Sequence, residues 1–181
     1  SGGGAIAARR LLTALNSIGI NAKMLVRDKQ TDLPCVIQIK KGKSDIWRFA
    51  WERVVIWTNN LFSKRNLFKV SIANTGYDIT KRKEFQEADV IHLHWVNQGM
   101  ISLKNIQQIL DSGKPVVWTM HDMWECTAIC HHAYTCDRFK TECMHCPFLR
   151  FPGEHDLANR VFQKKKKLLA NNTIHVITVS H

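Results

Sequence analysis

The second half of the chain alternates short apolar runs with longer amphipathic ones, and this alternation constrains the fold more than any other feature. Apolar residues dominate 88–95 (ADVIHLHW), 115–120 (PVVWTM) and 173–179 (TIHVITV), each of a length that suits a buried strand. Between them, 102–110 and 156–170 have the three- and four-residue spacing of amphipathic helices. Strands that alternate with helices predict βαβ units. We therefore expect an α/β fold, a Rossmann-like parallel sheet with helices on both faces.

The first half fits the same scheme less clearly. A glycine run opens the chain, and a helix is predicted over 5–18, with strands over 22–26 and 36–40. In an α/β protein a strand normally precedes such a glycine loop, and we expect this first strand to be missing here. A further helix is predicted over 45–62. Its aromatic residues recur at helical spacing, so we expect them in the core: Trp47, Phe49, Trp51, Trp57 and Phe62.

Length and charge bound the class of protein. The 181 residues suit one domain, and the formal net charge is +11. A basic chain favours an anionic partner such as a phosphorylated substrate or an anionic membrane surface. No apolar run approaches the roughly 18 to 20 residues that span a bilayer, and we see no export signal. We expect a cytoplasmic protein, peripheral at the inner face of the membrane.

The predicted topology indicates where a ligand binds. In open parallel sheets ligands bind at the carboxyl ends of the strands. The polar and aromatic residues that follow the predicted strands, with the opening glycines, are therefore candidate site residues: Gly2, Gly3, Gly4, His94, Trp95, Asn97, His121, Asp122 and Ser180.

Three local patterns carry the chemistry of this edge. Free N–H groups of a glycine loop at a helix N-terminus favour an anion such as phosphate. His92 and His94 lie two apart on a strand and so share a face, where they could bind a ligand or simply be hydrogen-bonded. His121 and Asp122 are adjacent after a strand, which suits a general acid/base pair, a ligand anchor or a loop cap.

Five of the six cysteines lie within a Cys-rich loop, 125–153. A cytosolic cluster of this kind suggests zinc before disulfides. Four thiolates would form a closed structural site, and the candidate ligands are Cys130, Cys136, Cys143 and Cys146. Zinc, free thiols and disulfides all remain open on spacing alone, while Cys35 is isolated and expected to be buried.

The motifs, taken in order, resemble glycosyltransferase family 4. The segments are GGGAIAARRL, ADVIHLHW, GKPVVWTMHDMW, CMHCP and VITVSH, and they extend over nearly the whole chain. The likeness is to bacterial members that build capsular, exopolysaccharide or lipopolysaccharide chains.

The resemblance implies a GT-B fold, in which two Rossmann-like domains face each other across the active site. Residues 1–181 would be the N-terminal, acceptor-side domain, and the C-terminal donor domain would be absent from the chain. It further implies hexosyl transfer from a nucleotide-sugar to a glycan or lipid-linked acceptor, with retention of configuration and no catalytic metal. By the same resemblance, Gly2, Gly3 and Gly4 lie near the donor phosphates, and His121 lines the cleft as a positioning residue. A chain without the donor domain is expected to be inactive alone.

Two other functions fit parts of the sequence. The charge, cysteines and aromatics would suit a zinc-containing nucleic-acid-binding domain. Against this, the basic residues are scattered and the βαβ order matches no zinc finger, so we expect no nucleic-acid partner. The HxH and HD pairs would suit a metal-dependent hydrolase that uses His92, His94, His121 and Asp122.

Overall fold

A computed structural model describes residues 2–39 and 43–179. Its helices and strands follow the predicted order. They are α1 (Gly3–Ser17), β1 (Met24–Val26), β2 (Val36–Gln38), α2 (Lys43–Asn59), α3 (Lys83–Gln86), β3 (Ile91–Leu93), α4 (Leu103–Asp111), β4 (Val116–Met120), α5 (Leu157–Ala170) and β5 (His175–Thr178). The sequence analysis does not predict the short helix α3.

Every strand pair in the described residues is parallel. β1 pairs with β2, while β3, β4 and β5 form a second sheet with β4 at its centre. Helix α4 connects β3 to β4 and α5 connects β4 to β5, which gives two successive βαβ units. The predicted α/β class is confirmed and is compatible with a Rossmann-like fold. The expectation of one continuous sheet is not met among the described strands, since no ladder joins β1 to β3.

The helices of the second half each begin one residue later than predicted because a polar residue caps them, and the strands are shorter than predicted. Ser102, predicted as helical, is the N-cap of α4 and forms a capping box with Asn105. Asp156 likewise caps α5, because its side chain accepts a hydrogen bond from the backbone N–H of Asn159. β3 ends at Leu93, well before the predicted end at residue 95.

The aromatic residues of α2 do not form the predicted buried stripe. Trp47 and Trp51 are exposed on the helix, and Phe62 is exposed just beyond it. Phe49 and Trp57 are half-buried. The prediction of an aromatic core is therefore wrong for three of the five residues.

A polar pair occupies the buried face of α2 instead. Glu52 is fully buried, and its Oε1 accepts hydrogen bonds from the backbone N–H groups of Ile72 (2.7 Å) and Ala73 (2.8 Å). Arg53 pairs with Glu52 at 2.7 Å and donates to the Val70 carbonyl. Because a buried carboxylate must keep such partners, this face of α2 is held against 67–73.

The segment between β4 and α5 is irregular apart from a 3-10 turn at Arg138–Lys140. It packs on α5 through buried side chains that include Ile129, Leu149 and Val161. An isolated antiparallel bridge joins Cys130 to Val70. The part of the Cys-rich loop that follows β4 is therefore packed into the body of the protein.

One residue of the lysine run in α5 is buried and holds this segment. Lys165 is 4% exposed, and its ammonium donates to the backbone carbonyls of Trp124, Thr127 (2.8 Å) and Ala128 (3.4 Å). The same ammonium lies 3.5 Å from the centroid of the Trp124 indole.

Candidate functional site

Three histidines meet at the carboxyl ends of β3 and β4. The rings of His92 and His94 stack with centroids 4.4 Å apart, as expected for residues on one face of a strand. His94 Nδ1 lies 2.9 Å from His121 Nε2 in a hydrogen bond between the two strand ends. His92 Nε2 is 2.8 Å from the Thr119 hydroxyl. His92 is thus hydrogen-bonded to its own sheet, while His94 and His121 lie nearer the edge.

Burial governs the charge of this cluster. It lowers the pKa of all three imidazoles, and for His94, also flanked by His92 and His121, the pKa falls to about 4. For His121, the neighbouring Asp122 carboxylate raises the pKa, but burial lowers it by more. The three rings are therefore neutral at pH 7, and each can both donate and accept a hydrogen bond.

The N-terminus of α1 lies against this cluster. Gly2 is the N-cap, and Gly3 and Gly4 form the first helical turn, so the predicted glycine loop is already helix. A Cβ atom at Gly4 would lie 3.1 Å from Cγ of His121, whereas nothing lies within 4 Å of one at Gly2 or Gly3. Within the described residues, no side chain caps this helix and its first turn contains no acidic residue. Its amides can therefore receive an anion next to His121.

Asp122 has other partners than the histidine beside it in sequence. Its Oδ2 accepts a hydrogen bond from Trp95 Nε1 (3.0 Å) and lies 2.8 Å from His131 Nδ1, while Oδ1 accepts from the Trp124 backbone N–H (2.8 Å). Burial raises the pKa of this carboxyl, but the hydrogen bonds from His131, Trp124 and Trp95 outweigh it, so the pKa lies below its usual value. Asp122 is an ionised anchor for the loop after β4 and does not hydrogen-bond to His121.

His131 completes this network and was not identified from the sequence. Its Nε2 lies 3.0 Å from the Ser71 hydroxyl, so it bridges Asp122 to the segment before α3. The available signal was a histidine within the cysteine cluster, and spacing gave no reason to pair it with Asp122.

The remaining predicted site residues do not all join the histidine cluster. Trp95 is half-buried and belongs to the Asp122 network. Asn97 is buried, and neither its Nδ2 nor its Oδ1 has a hydrogen-bond partner among the described residues. Ser180 lies outside the described residues.

The four cysteines predicted as zinc ligands line a single cavity. They are Cys130, Cys136, Cys143 and Cys146. None of the six cysteines, all within the described residues, forms a disulfide, and burial raises the pKa of Cys143 to about 11 and that of Cys146 to about 12. In residues 2–39 and 43–179, no three His, Cys, Asp or Glu side chains are arranged to hold a metal ion. A zinc ion would require these thiols to reorient, and zinc stays a prediction.

The hydrolase alternative requires a carboxylate to converge with the three histidines, and the described geometry brings the histidines together without Asp122. His94 and His121 use facing nitrogens for their mutual hydrogen bond. The Asp122 carboxylate bonds to Trp95 and His131 instead. The cluster therefore presents neutral hydrogen-bonding rings beside a helix N-terminus, which suits the binding of a phosphorylated, hydroxyl-rich ligand.

Fold and geometry together define an α/β protein with a candidate ligand site at the carboxyl ends of its parallel strands. Over 87 residues, the chain is 30% identical to the protein named putative colanic acid biosynthesis glycosyl transferase WcaC, from Escherichia coli (strain K12). That stretch covers 44% of this chain and 22% of WcaC, so the similarity extends over about a fifth of the length of that curated relative. No protein-family model matches the chain, and no solved structure matches it. The similarity supports a glycosyltransferase-like relationship.

Among the described helices, none combines the length and the apolar character needed to cross a lipid bilayer.

Proposed function

We propose that this chain is the N-terminal, acceptor-side part of a retaining glycosyltransferase of family 4, one half of a GT-B fold. The whole protein would transfer a hexose from a nucleotide-sugar to a glycan or lipid-linked acceptor in the synthesis of a surface polysaccharide. The observation that carries the proposal is the contact of Gly4 with His121, because it places open helix amides beside a neutral imidazole at the ligand-binding edge of the sheet. The similarity to WcaC, whose name describes colanic acid biosynthesis, supports the same class.

The residues at this edge have separable roles in the proposal. The backbone N–H groups of Gly3 and Gly4 donate hydrogen bonds to a phosphate oxygen of the donor. His121, neutral and oriented by His94, hydrogen-bonds a hydroxyl of the reacting sugar and positions it. Asp122 keeps the loop after β4 in place through Trp95 and His131. Each residue binds or orients, and none forms a covalent bond to the sugar.

The test is a transfer assay on the whole protein, the product of the complete coding sequence that contains this chain. Radiolabelled UDP-glucose, UDP-galactose, GDP-mannose and GDP-fucose are each incubated with the enzyme and a lipid extract of its source. We expect transfer from at least one donor, and a loss of about a hundredfold in His121→Ala with an unchanged circular dichroism spectrum. His155→Ala, which removes an exposed histidine outside the histidine cluster, is the matched control. Unchanged turnover in His121→Ala would contradict the role of His121, and absence of transfer from every donor would contradict the function.

The proposal places the enzyme at the cytoplasmic face of an anionic membrane. The chain has a formal net charge of +11, and α5 exposes Lys164, Lys166 and Lys167. Each Lys near an anionic surface contributes about 1 kcal/mol of attraction. Co-sedimentation with vesicles containing phosphatidylglycerol should be strong at low salt and weak with phosphatidylcholine alone. Equal sedimentation with both lipids would argue against this location.

A further inference from the structure

A second concave surface lies beside the histidine cluster. It is an open groove of about 580 Å³, including the space at its mouth, and it is lined by Phe68, Trp95, Gln98, Asp122, His131 and Tyr134 among others. We call it the Trp95 groove.

The groove and the histidine cluster are built from alternate residues of the same two strand ends. His94 pairs with His121, while Trp95, the next residue, pairs with Asp122. Consecutive side chains after an extended strand point to opposite sides. The end of each strand therefore contributes one residue to the cluster and one to the groove, which makes the two surfaces immediate neighbours.

The inner wall of the groove is preorganised. Asp122 holds both the Trp95 indole and the His131 imidazole, and the ring centroids of Trp95 and His131 are 5.8 Å apart. His131 is held from its other nitrogen by Ser71. Side chains fixed in this way lose little conformational freedom when a ligand binds.

The outer wall consists of exposed aromatic rings. Phe68 is 67% exposed and Tyr134 is 73% exposed, although each has an aromatic neighbour, Phe49 at 6.5 Å and Phe148 at 6.2 Å between centroids. Large exposed aromatic side chains beside a concave surface are typical of a binding site.

This combination matches the surface of a sugar ring. A pyranose has an apolar C–H face that packs on an aromatic ring and a rim of hydroxyls that donate to carboxylates. Asp122, at the inner wall, accepts hydrogen bonds from hydroxyls and repels phosphate. Gln98 and Lys69 at the lining provide donors for hydroxyl oxygens.

We propose that the Trp95 groove binds a pyranose ring of the acceptor glycan. The term "acceptor" rests on the proposed function, whereas the binding of a sugar in the groove does not. A ring held there contacts Asp122, the residue that follows His121 in the chain. The groove would thereby set which acceptor sugar is presented for transfer.

The experiment follows the indole N–H signal of Trp95 by ¹⁵N–¹H NMR in the 181-residue chain. Each of the six tryptophans contributes one indole N–H signal, and the signal lost in Trp95→Phe is that of Trp95. The probes are methyl glycosides of glucose, galactose, mannose and fucose, each up to about 50 mM, a range that detects millimolar affinity. We expect a saturable shift of the Trp95 signal with at least one glycoside. UDP, GDP and inorganic phosphate should leave it unmoved.

Matched variants locate the binding. Phe68→Ala and Tyr134→Ala should each weaken the glycoside by about fivefold, the usual worth of one aromatic contact. Phe151→Ala is the control, because Phe151 is also an exposed ring with an arginine nearby (5.5 Å, against 6.0 Å for Phe68) but does not line the groove. Absence of a shift with every glycoside, or equal loss in Phe151→Ala, would overturn the proposal.

The titrations with UDP and GDP, together with the transfer assay, distinguish a sugar site from a nucleotide site and the groove from the proposed function. A Tyr134-dependent shift with UDP or GDP would make the groove a nucleotide site and overturn the sugar assignment. Glycoside binding in a protein without transfer activity would uphold the groove while contradicting the glycosyltransferase function.

Discussion

The backbone of Gly4 lies so close to His121 that a Cβ atom there would come within 3.1 Å of the imidazole Cγ. Two elements far apart in sequence, the first turn of α1 and the end of β4, therefore meet with no side chain between them. This contact and the hydrogen bond between His94 Nδ1 and His121 Nε2 together orient the imidazole.

Replacing this glycine should separate a stability effect from a functional one. Alanine favours a helix interior over glycine by about 0.5–1 kcal/mol, so Gly3→Ala, at the first helical residue and with no atom within 4 Å, should stabilise the protein by less than that amount. Gly4→Ala should be less stabilising, because its methyl group must displace His121. In the transfer assay, Gly4→Ala should lose at least about tenfold more activity than Gly3→Ala. Equal stability and activity in both variants would show that the contact has no consequence.

The histidine cluster should make the protein sensitive to acid. The pKa of His94 lies at about 4 in the folded chain, against an ordinary value of 6.5, because the ring is buried beside His92 and His121. Between these values the unfolded chain binds a proton that the folded chain does not, so stability falls as the pH drops from about 6.5 towards 4.

The measurement is the melting temperature from pH 4 to pH 7.5 for the wild type and for His94→Gln, which cannot titrate. We expect the variant to lose less stability on acidification. The difference between the two proteins is the readout, since the raised pKa of the buried Glu125, about 7, acts in the opposite direction. His175→Gln removes an exposed histidine of β5 and should behave as the wild type does. Parallel curves for wild type and His94→Gln would refute the expectation.

Substitutions in the lysine run of α5 should have very different effects on the free energy of unfolding, depending on whether the lysine is buried. Lys165→Met leaves the carbonyls of Trp124 and Thr127 without their buried donor, and we expect it to lower the free energy of unfolding by about 2–4 kcal/mol. Lys164→Met and Lys166→Met change exposed residues of the same helix and should stay within about 0.5 kcal/mol of the wild type. Urea denaturation measures all three, and a similar loss in every variant would argue against the buried role.

The cysteine spacing predicts one zinc ion per chain at the cysteine cavity, where the described thiols would have to reorient to hold it. Cys143→Ser should then lose the metal, because Cys143 lines the cavity, whereas Cys126→Ser should keep it, since Cys126 is exposed and lies outside the lining. Elemental analysis of protein purified without chelators provides the count. Wild-type protein without zinc would contradict the zinc prediction. Loss of zinc in His121→Ala would favour the hydrolase alternative.

Much of the second half was predictable because its signals are local. The apolar runs around Leu93 and Trp118 correspond to β3 and β4, and the helical spacing of 102–110 corresponds to α4. The placement of His94 and His121 at one edge also followed from strand order, since parallel strands bring their carboxyl ends together. Their 2.9 Å contact confirms that these two residues lie close together.

The failures involve residues whose environment depends on distant segments. Trp47 and Trp51 have core-like spacing, but the buried face of α2 is occupied by Glu52, which bonds to backbone groups about twenty residues further along the chain. From the sequence, Lys165 is expected on the surface like the other three lysines of its run. Only the tertiary structure brings the Thr127 carbonyl within hydrogen-bond distance of its ammonium.

The sequence by itself determined the α/β class, the order of the elements and the strand ends at which candidate site residues collect, because periodicity and capping act over a few neighbouring residues. Only the tertiary structure decided which groups meet: Asp122 with His131 and Trp95 rather than with His121, Gly4 with His121, and Trp95 with the wall of a groove. Hydrogen bonds and ring contacts between residues tens of positions apart depend on loop paths that no local pattern encodes.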